Sequence, residues 1–269
     1  MTPRLFLRIV SMQVRKLMSY RMDFWINAVA SFFVQLGVIY FLWQAIFRQT
    51  GRPSIGGYTF KGMIVYYLMV ILLGKFVRGA DNESQMSREI YDGSLTRYLV
   101  YPTRYFIFKY GERLGDLAPA LMQLVLFGSF LPLFLRNSEI EISFQSVSMM
   151  VVTLAIANLL HYLLYCPVEG IAFWADNVWS LNVFMRLALG FLGGAFIPLS
   201  LFPEGAQRVL AFLPFPYIYS VPVNVLMGKL TVEEWLWSLA VAGGWCIVFG
   251  AITRVVWRRG DLQYTGVGI

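Results

Sequence analysis

The sequence predicts an all-α integral membrane protein with six transmembrane helices, and three observations support this prediction. The chain has 269 residues, of which 58% are hydrophobic and only 14% are charged, and its mean hydropathy is +0.62. A soluble domain of this length could not bury so much apolar surface. The apolar residues occur in runs of about 20, the length that crosses a bilayer as a helix. Finally, the basic residues cluster at the ends of these runs.

The first segment, residues 1–22, is predicted to be an amphipathic helix lying along the inner membrane surface. Arg4 and Arg8 fall on one side of a helical projection, whereas Phe6 and Val10 fall on the other. A helix with this division places its charges among the lipid headgroups and its apolar side in the acyl layer. A simple cytosolic extension of the first span is the alternative.

The remaining apolar runs define the six spans. We predict them at residues 24–47, 58–77, 114–135, 147–171, 178–201 and 236–257. The second run is the weakest, because Lys61 and Lys75 bracket it and would have to extend their side chains towards the aqueous phase.

The distribution of basic residues predicts the orientation. An even number of spans puts both termini on one side. The segments on that side carry 15 of the 22 Lys and Arg residues, the opposite loops carry six, and Arg186 lies within the fifth span. Positive charge accumulates on the cytoplasmic side of membrane proteins. We therefore predict a multi-pass protein of the cell membrane with both termini in the cytoplasm.

Residues 202–233 are apolar but interrupted by four prolines, Pro203, Pro214, Pro216 and Pro222. Proline breaks a continuous helix, so the segment cannot form a span. We predict one or two short re-entrant helices that dip into the outer leaflet under the shelter of the protein. An outer loop packed on the spans is the alternative.

Residues 81–104 form the longest polar interval of the chain. Met86 and Ile90 are four residues apart and share one face of a short helix. Gly93 is expected to end that helix, and Pro102 to stop a second helical piece. Two short helices with apolar side chains, set between spans, predict a surface that docks onto a partner in the aqueous phase.

Polar residues within the spans are candidates for a transport pathway. His161 and Glu169 lie on the fourth span, where ionisable groups are functional candidates by default, although a structural hydrogen bond is the favoured role. Asn27, Ser31 and Gln35 recur every four residues on the first span. Such a stripe forms either a pathway wall or a polar contact between helices.

Several classes of chemistry find no motif in the sequence. Gly56-Gly57 is followed by Tyr-Thr-Phe-Lys rather than a phosphate-binding loop, so the chain is not expected to bind nucleotide by itself. One histidine and two scattered cysteines, Cys166 and Cys246, indicate neither a metal site nor a catalytic pair. The net charge of +7 is explained by the membrane surface, and no nucleic-acid partner is expected. An enzyme or a non-transporting scaffold therefore has no supporting motif.

Taken in order, these segments resemble the ABC-2 type permease family. The match includes a helical cytosolic loop at Ile90–Pro102, the stretch Gly194–Pro203, the Leu213-Pro-Phe-Pro216 motif and the tail Trp257-Arg-Arg-Gly260. The resemblance extends over essentially the whole chain and is carried by the order of its motifs. We call residues 81–104 the coupling segment, after its counterpart in that family.

The resemblance implies a transmembrane subunit of an exporter that has no ATPase of its own. Two permease subunits, identical or paralogous, would assemble with two cytosolic ATPase subunits, which bind the ATP and Mg²⁺, so this chain would hold no cofactor. The family motif assigns docking on the ATPase to Ile90, Gly93, Leu95, Leu99 and Pro102. To these we add a charged rim made of Glu83, Arg88, Glu89, Asp92 and Arg97.

Two questions stay open at the level of sequence. An ion-gradient-driven secondary transporter that uses His161 and Glu169 is the alternative function, although that class usually has broken helices in both halves of the chain. The cargo is unspecified. The aromatic content of 17% and the few charges within the spans are compatible with a lipid-like or amphiphilic substrate.

Overall fold

The computed structural model describes residues 3–18, 21–79, 84–129, 142–175 and 177–264, and over these ranges the chain is helical and contains no β-strand. The α-helices are α1 (Pro3–Met18), α2 (Arg21–Thr50), α3 (Phe60–Arg78), α4 (Gln85–Tyr91), α5 (Thr96–Leu99), α6 (Tyr105–Gly115), α7 (Leu117–Gly128), α8 (Phe144–Gly170), α9 (Trp179–Leu192), α10 (Glu204–Leu210), α11 (Ser220–Leu226) and α12 (Val232–Asp261). Short 3₁₀ turns occur at Ile171–Phe173, Leu199–Leu201 and Phe215–Tyr217.

Four helices of the described residues are long and apolar enough to cross a membrane. They are Trp25–Thr50 within α2, Phe60–Arg78, Phe144–Phe173 and Val232–Asp261. They overlap the predicted first, second, fourth and sixth spans. Hydroxyl side chains begin three of them, because Thr59, Ser143 and Thr231 each accept a hydrogen bond from a backbone N–H of the first turn.

The predicted third and fifth spans differ from the observed helices. The helix that enters residues 114–135 is interrupted at Asp116 between α6 and α7, and α7 has 12 residues, while residues 130–141 lie outside the described ranges. Helix α9, which corresponds to the predicted fifth span, ends at Leu192, so the prediction that this span continues to residue 201 is wrong. Gly194, with φ of 87°, turns the chain into an irregular stretch. With 14 residues, α9 is too short to cross the hydrocarbon layer as one straight helix.

Helix α3 forms the centre of the bundle and is enclosed by α2, α7, α8 and α11. Two of its tyrosines bind the turn that follows α9. The Tyr66 hydroxyl donates to the Gly194 carbonyl at 2.7 Å, and the Tyr67 hydroxyl donates to the Phe196 carbonyl at 2.7 Å. Lys75 was expected to extend towards the aqueous phase. Instead, its ammonium group donates to Gln123 of α7 at 2.9 Å.

Helices α8 and α12 pack along each other, and a tryptophan joins them at each end. The Trp235 indole donates to Thr153 Oγ1 at 2.8 Å, and the Trp257 indole donates to the Cys166 carbonyl at 3.0 Å. Buried indole N–H groups require such partners. The last span is therefore held in register against the fourth.

The N-terminal helix α1 is amphipathic, as predicted, and packs on α6 through Ile9. The close approach depends on Gly111 and Gly115, because a Cβ at either position would meet the side chains of α1. The Gln13 amide also donates to Asp116 at 2.8 Å. Its placement along the membrane surface stays a prediction.

The proline-rich segment 202–233 forms the short helices α10 and α11, as predicted. Helix α11 is packed into the core, where Val223 is 1% exposed, whereas Val209 of α10 is 62% exposed. The segment is therefore partly sheltered by the protein, and whether it enters a leaflet stays a prediction.

Candidate functional site: the coupling segment

The described part of the coupling segment consists of α4, a tight turn, α5 and the short stretch 100–104. Helix α4 ends at Tyr91, and Gly93 has a φ of 68°, which confirms the predicted glycine break. Glu83 lies outside the described residues, and so does the side chain of Leu99. Two helices of 7 and 4 residues cannot be stable alone, so the shape of this segment depends on its contacts with the rest of the chain.

Three apolar residues of the coupling segment are buried within the protein itself. Met86 is 7% exposed, Ile90 is 3% exposed and Leu95 is 4% exposed. They belong to one apolar cluster with Phe173 and Trp257. The prediction that these side chains project towards a partner is therefore wrong. Instead they anchor the segment to the ends of α8 and α12.

The Glu89 carboxylate joins the coupling segment to α6. It lies on the inner face of α4, is 5% exposed, and therefore does not belong to the exposed rim on which it was predicted. Its two oxygens accept hydrogen bonds from the Tyr98 hydroxyl at 2.8 Å, the Tyr105 hydroxyl at 2.7 Å and the Lys109 ammonium group at 2.6 Å. Lys109 also donates to Glu112 at 2.9 Å. We call these five residues the Glu89–Lys109 cluster.

Burial and charge pairing act against each other in this cluster. Burial by itself lowers the pKa of Lys109, but the hydrogen bond to Glu89 and the charge of Glu112 outweigh burial, so the pKa is raised. The pKa of Tyr105 is raised by burial and by the adjacent Glu89 carboxylate. Burial also raises the pKa of Tyr98. Tyr98 and Tyr105 therefore remain hydrogen-bond donors, and Lys109 remains charged, throughout the neutral pH range.

Glu169 caps the first turn of α4. Its Oε2 atom accepts from the backbone N–H groups of Met86 at 2.7 Å and Ser87 at 3.1 Å. The first N–H groups of a helix have no partner within the helix, and a carboxylate also complements their partial positive charge. The residue is 4% exposed. Glu169 thus ties the last turn of α8 to the start of the coupling helix, which is the structural role favoured for it.

His161 lies deeper in α8 and is 1% exposed. Arg113 Nη2 is 2.9 Å from His161 Nδ1 and also donates to the Val77 carbonyl at 2.7 Å. Arginine has donors only, so Nδ1 must be the acceptor and the proton of the neutral imidazole lies on Nε2. The ring stacks on Tyr165 at 4.8 Å. These contacts agree with the structural role favoured for His161, which stays a prediction.

The other pathway candidates lie on an open face of α2. Asn27, Ser31 and Gln35 are all exposed in the single chain. Of the three, Gln35 lines a cavity of about 310 Å³ between α2, α3 and α9. The structure therefore separates this stripe from His161 and Glu169 rather than bringing the candidates together.

The outward face of the coupling segment is polar at α4 and includes an apolar pair, Val100 and Tyr101, just after α5. Its exposed residues are Arg88, Asp92, Thr96, Arg97, Val100, Tyr101, Pro102 and Arg104. Val100 is 81% exposed and Tyr101 is 42% exposed. These two consecutive side chains give the outward face a small apolar edge.

The residues that hold the segment in place include several that the sequence analysis missed. Tyr105, Lys109 and Glu112 follow one another at spacings of four and three residues, which puts them on one face of α6. A lysine and a glutamate three residues apart on that face are a signal that an ion pair could form there. The further partner of Lys109, Glu89, could not be identified from the sequence, because it comes from a different helix.

Comparison with known proteins agrees with this architecture. A family model described as ABC-2 family transporter protein matches residues 33–268. No curated protein matches the chain.

Proposed function

The chain belongs to the ABC-2 transporter family, and from that premise we propose that it is the six-span permease subunit of an ATP-driven exporter. A multi-pass membrane subunit of this family works with a partner ATPase. We further propose that two ATPase copies bind ATP and Mg²⁺ in the cytosol, that two permease subunits pair in the cell membrane, and that both termini face the cytoplasm. The cargo is an amphiphile.

The observation that carries the proposal is the attachment of the coupling segment on two sides. The Glu89–Lys109 cluster fastens it to α6, and Glu169 fastens it to α8. A short helix held in this way moves as a rigid body with both helices. A push on its outer face would therefore be transmitted to the bundle rather than absorbed locally.

A second observation links the coupling segment to the cavity beside Gln35. Arg78, at the end of α3, lines that cavity and also a smaller polar cavity of about 50 Å³ beneath α4, whose walls include Glu169 and His161. Movement of α4 would thus reach the side chain that separates the two cavities. This supports a path from ATPase docking to the transport pathway.

The ion-gradient alternative is not favoured. Proton transport through His161 would require its imidazole to change protonation, but Nδ1 accepts from Arg113. Glu169 is already engaged by two backbone N–H groups. The permease proposal predicts that transport requires ATP and persists when a proton ionophore collapses the ion gradient. Transport that stops with the ionophore while ATP is still present would instead favour the alternative.

The docking proposal is tested with a variant of the exposed face. Because Leu95 is buried, its substitution would disturb folding. Val100→Asp changes only the surface. We expect the tagged wild-type chain, purified from its native membranes, to bring down an ATPase with measurable ATP hydrolysis, and Val100→Asp to lose most of it.

The matched control is Val209→Asp, which makes the same change at a position of α10 that is 62% exposed. This variant should retain the ATPase, because α10 lies outside the coupling segment. Equal retention by both variants would show that the ATPase docks elsewhere, and no ATPase on the wild-type chain would refute the permease proposal.

A further inference from the structure

The charges of the coupling segment are divided between its two faces. Residues 84–104, whose backbone the structure describes, contain five charged residues. One of them, Glu89, is buried and paired with Lys109 at 2.6 Å. The other four are exposed, and they are Arg88, Asp92, Arg97 and Arg104. The charge of the inner face is therefore matched within the chain, whereas the outer face carries three cations and one anion.

The three exposed arginines have no acidic partner within the described part of the chain. Arg97 contacts its own turn, where its Nη2 atom lies 3.4 Å from Ser94 Oγ and its guanidinium lies 5.3 Å from the centre of the Tyr98 ring. A guanidinium has five N–H donors in a planar fork that matches the two oxygens of a carboxylate. A surface that presents carboxylates is therefore the chemical complement of this face.

The contacts of the inner face determine where the outer face points. Met86 donates its backbone N–H to Glu169 in the last turn of α8, and Ile90 belongs to the apolar cluster that contains Trp257, near the end of α12. Helix α4 thus lies against the ends of two helices that are long enough to cross a membrane. Arg88 is about 200° round α4 from Met86, at about 100° per residue, so it lies on the side away from those ends. This side faces the aqueous phase rather than the lipid.

An apolar pair accompanies the cations. Val100 is 81% exposed and Tyr101 is 42% exposed, and both lie between Arg97 and Arg104 in the chain. Protein interfaces are enriched in tyrosine and arginine, and they place apolar contacts at the centre and charged groups at the rim, where the charges fix the orientation. Lipid headgroups would match the cations but would give no partner to an apolar pair that lies outside the hydrocarbon layer.

We propose that the coupling segment docks onto an acidic surface of the partner ATPase. Carboxylates of the ATPase pair with the three exposed arginines around an apolar pocket that receives Val100 and Tyr101. This inference rests on the proposed permease function and names the chemistry of the partner. The single exposed anion within residues 84–104 requires a neutral or basic group opposite it, which restricts docking to one register.

The test is the dissociation constant of the complex between the full-length chain, in nanodiscs of zwitterionic lipid, and the ATPase that co-purifies with it from native membranes. The glutamine triple variant, Arg88→Gln with Arg97→Gln and Arg104→Gln, removes the three charges and keeps the apolar pair. We expect it to bind about tenfold more weakly, because one exposed ion pair contributes up to about a factor of five and neighbouring pairs do not add fully. Raising NaCl from about 0.05 M to about 0.5 M should weaken the wild-type complex much more than the variant complex.

Two matched variants separate the charge of this face from other effects. Lysine at the same three positions should keep most of the affinity, because the positive charge remains. The control removes three exposed cations of α1, outside the coupling segment, and should leave the affinity unchanged; it combines Arg4→Gln, Arg8→Gln and Lys16→Gln.

Three results would overturn the proposal. The first is a glutamine triple variant that binds the ATPase as tightly as the wild type. The second is an α1 control that weakens binding as much as the triple variant does, because the effect would then be one of overall charge. The third is a triple variant that keeps the ATPase but retains less anionic lipid on purification, because the arginines would then contact headgroups.

The permease proposal and this inference fail in different ways. If no ATPase accompanies the wild-type chain, the permease proposal is refuted and this inference with it. If the ATPase is lost from Val100→Asp but binds the glutamine triple variant normally, docking at the coupling segment stands and the acidic partner surface is wrong.

Discussion

Lys109→Met tests whether the Glu89–Lys109 cluster holds the coupling segment in place. The substitution keeps the length of the side chain and removes its charge. The side chains of Lys109 and Glu89 are 3% and 6% exposed, so the change leaves a carboxylate buried without its cation. Breaking a buried pair by removing one partner costs about 3–5 kcal/mol. Glu89 retains two tyrosine donors, which puts the expected loss of stability near the lower end, at about 3 kcal/mol.

Substitution of the acidic partner, Glu89, should cost less stability. Glu89→Gln leaves Lys109 with Glu112 at 2.9 Å, so the ammonium group keeps a counter-ion. We expect a loss of about 1–2 kcal/mol, which is the worth of the hydrogen bonds that weaken. The double variant should be more stable than the sum of the two single losses predicts, because both changes remove the same interaction.

Thermal unfolding of the purified chain, followed by tryptophan fluorescence, measures these losses as shifts in Tm. Lys61→Met is the matched control, because Lys61 is exposed at the start of α3. If Lys109→Met lowers Tm no more than Lys61→Met does, the cluster does not stabilise the segment. ATPase retention on the same variants then tests function. A variant that remains folded but loses the ATPase indicates that the coupling segment must be held rigidly.

The pH dependence provides a further check on the same interaction. The pKa of Lys109 is raised in the folded protein. Its contribution is therefore fully present below the ordinary lysine pKa of about 10.4 and is lost as pH rises through the folded-state value. The Tm difference between the wild type and Lys109→Met should be constant near neutral pH and decrease in alkaline solution. A difference that stays unchanged in strongly alkaline solution would contradict this assignment.

Two further predictions concern neighbouring contacts. Glu169→Ala removes the cap of α4 and should cost about 2 kcal/mol of stability. Hydrogen exchange should become faster in the coupling segment alone. Exchange that is unchanged there would show that the cap is dispensable. Gly260→Ala places a Cβ against the ring of Phe173 and should cost about 1–3 kcal/mol through overpacking, whereas Gly244→Ala in the same helix has open space and should be neutral or stabilising. Equal Tm values for the two alanine variants would show that the packing around Gly260 is loose.

Much of the fold could be predicted from local sequence. The four long helices overlap predicted spans because a run of about 20 apolar residues has few alternatives to a membrane-crossing helix. Gly93 breaks the coupling segment as expected, because few other residues adopt a positive φ without strain. The early end of α9 was missed, since its following residues remain apolar and the turn at Gly194 is held by Tyr66 from a distant helix.

The sequence by itself determined the class of the protein, the positions of its long helices and the helix break at Gly93, because these depend on composition and on neighbours within a few residues. Only the tertiary structure decided which face of that segment is buried. Glu89 and Leu95 were expected to meet a partner, yet their contacts are with Lys109, Tyr105 and the ends of distant helices. The burial of one face of a seven-residue helix depends on what the fold brings against it, and that information is not local.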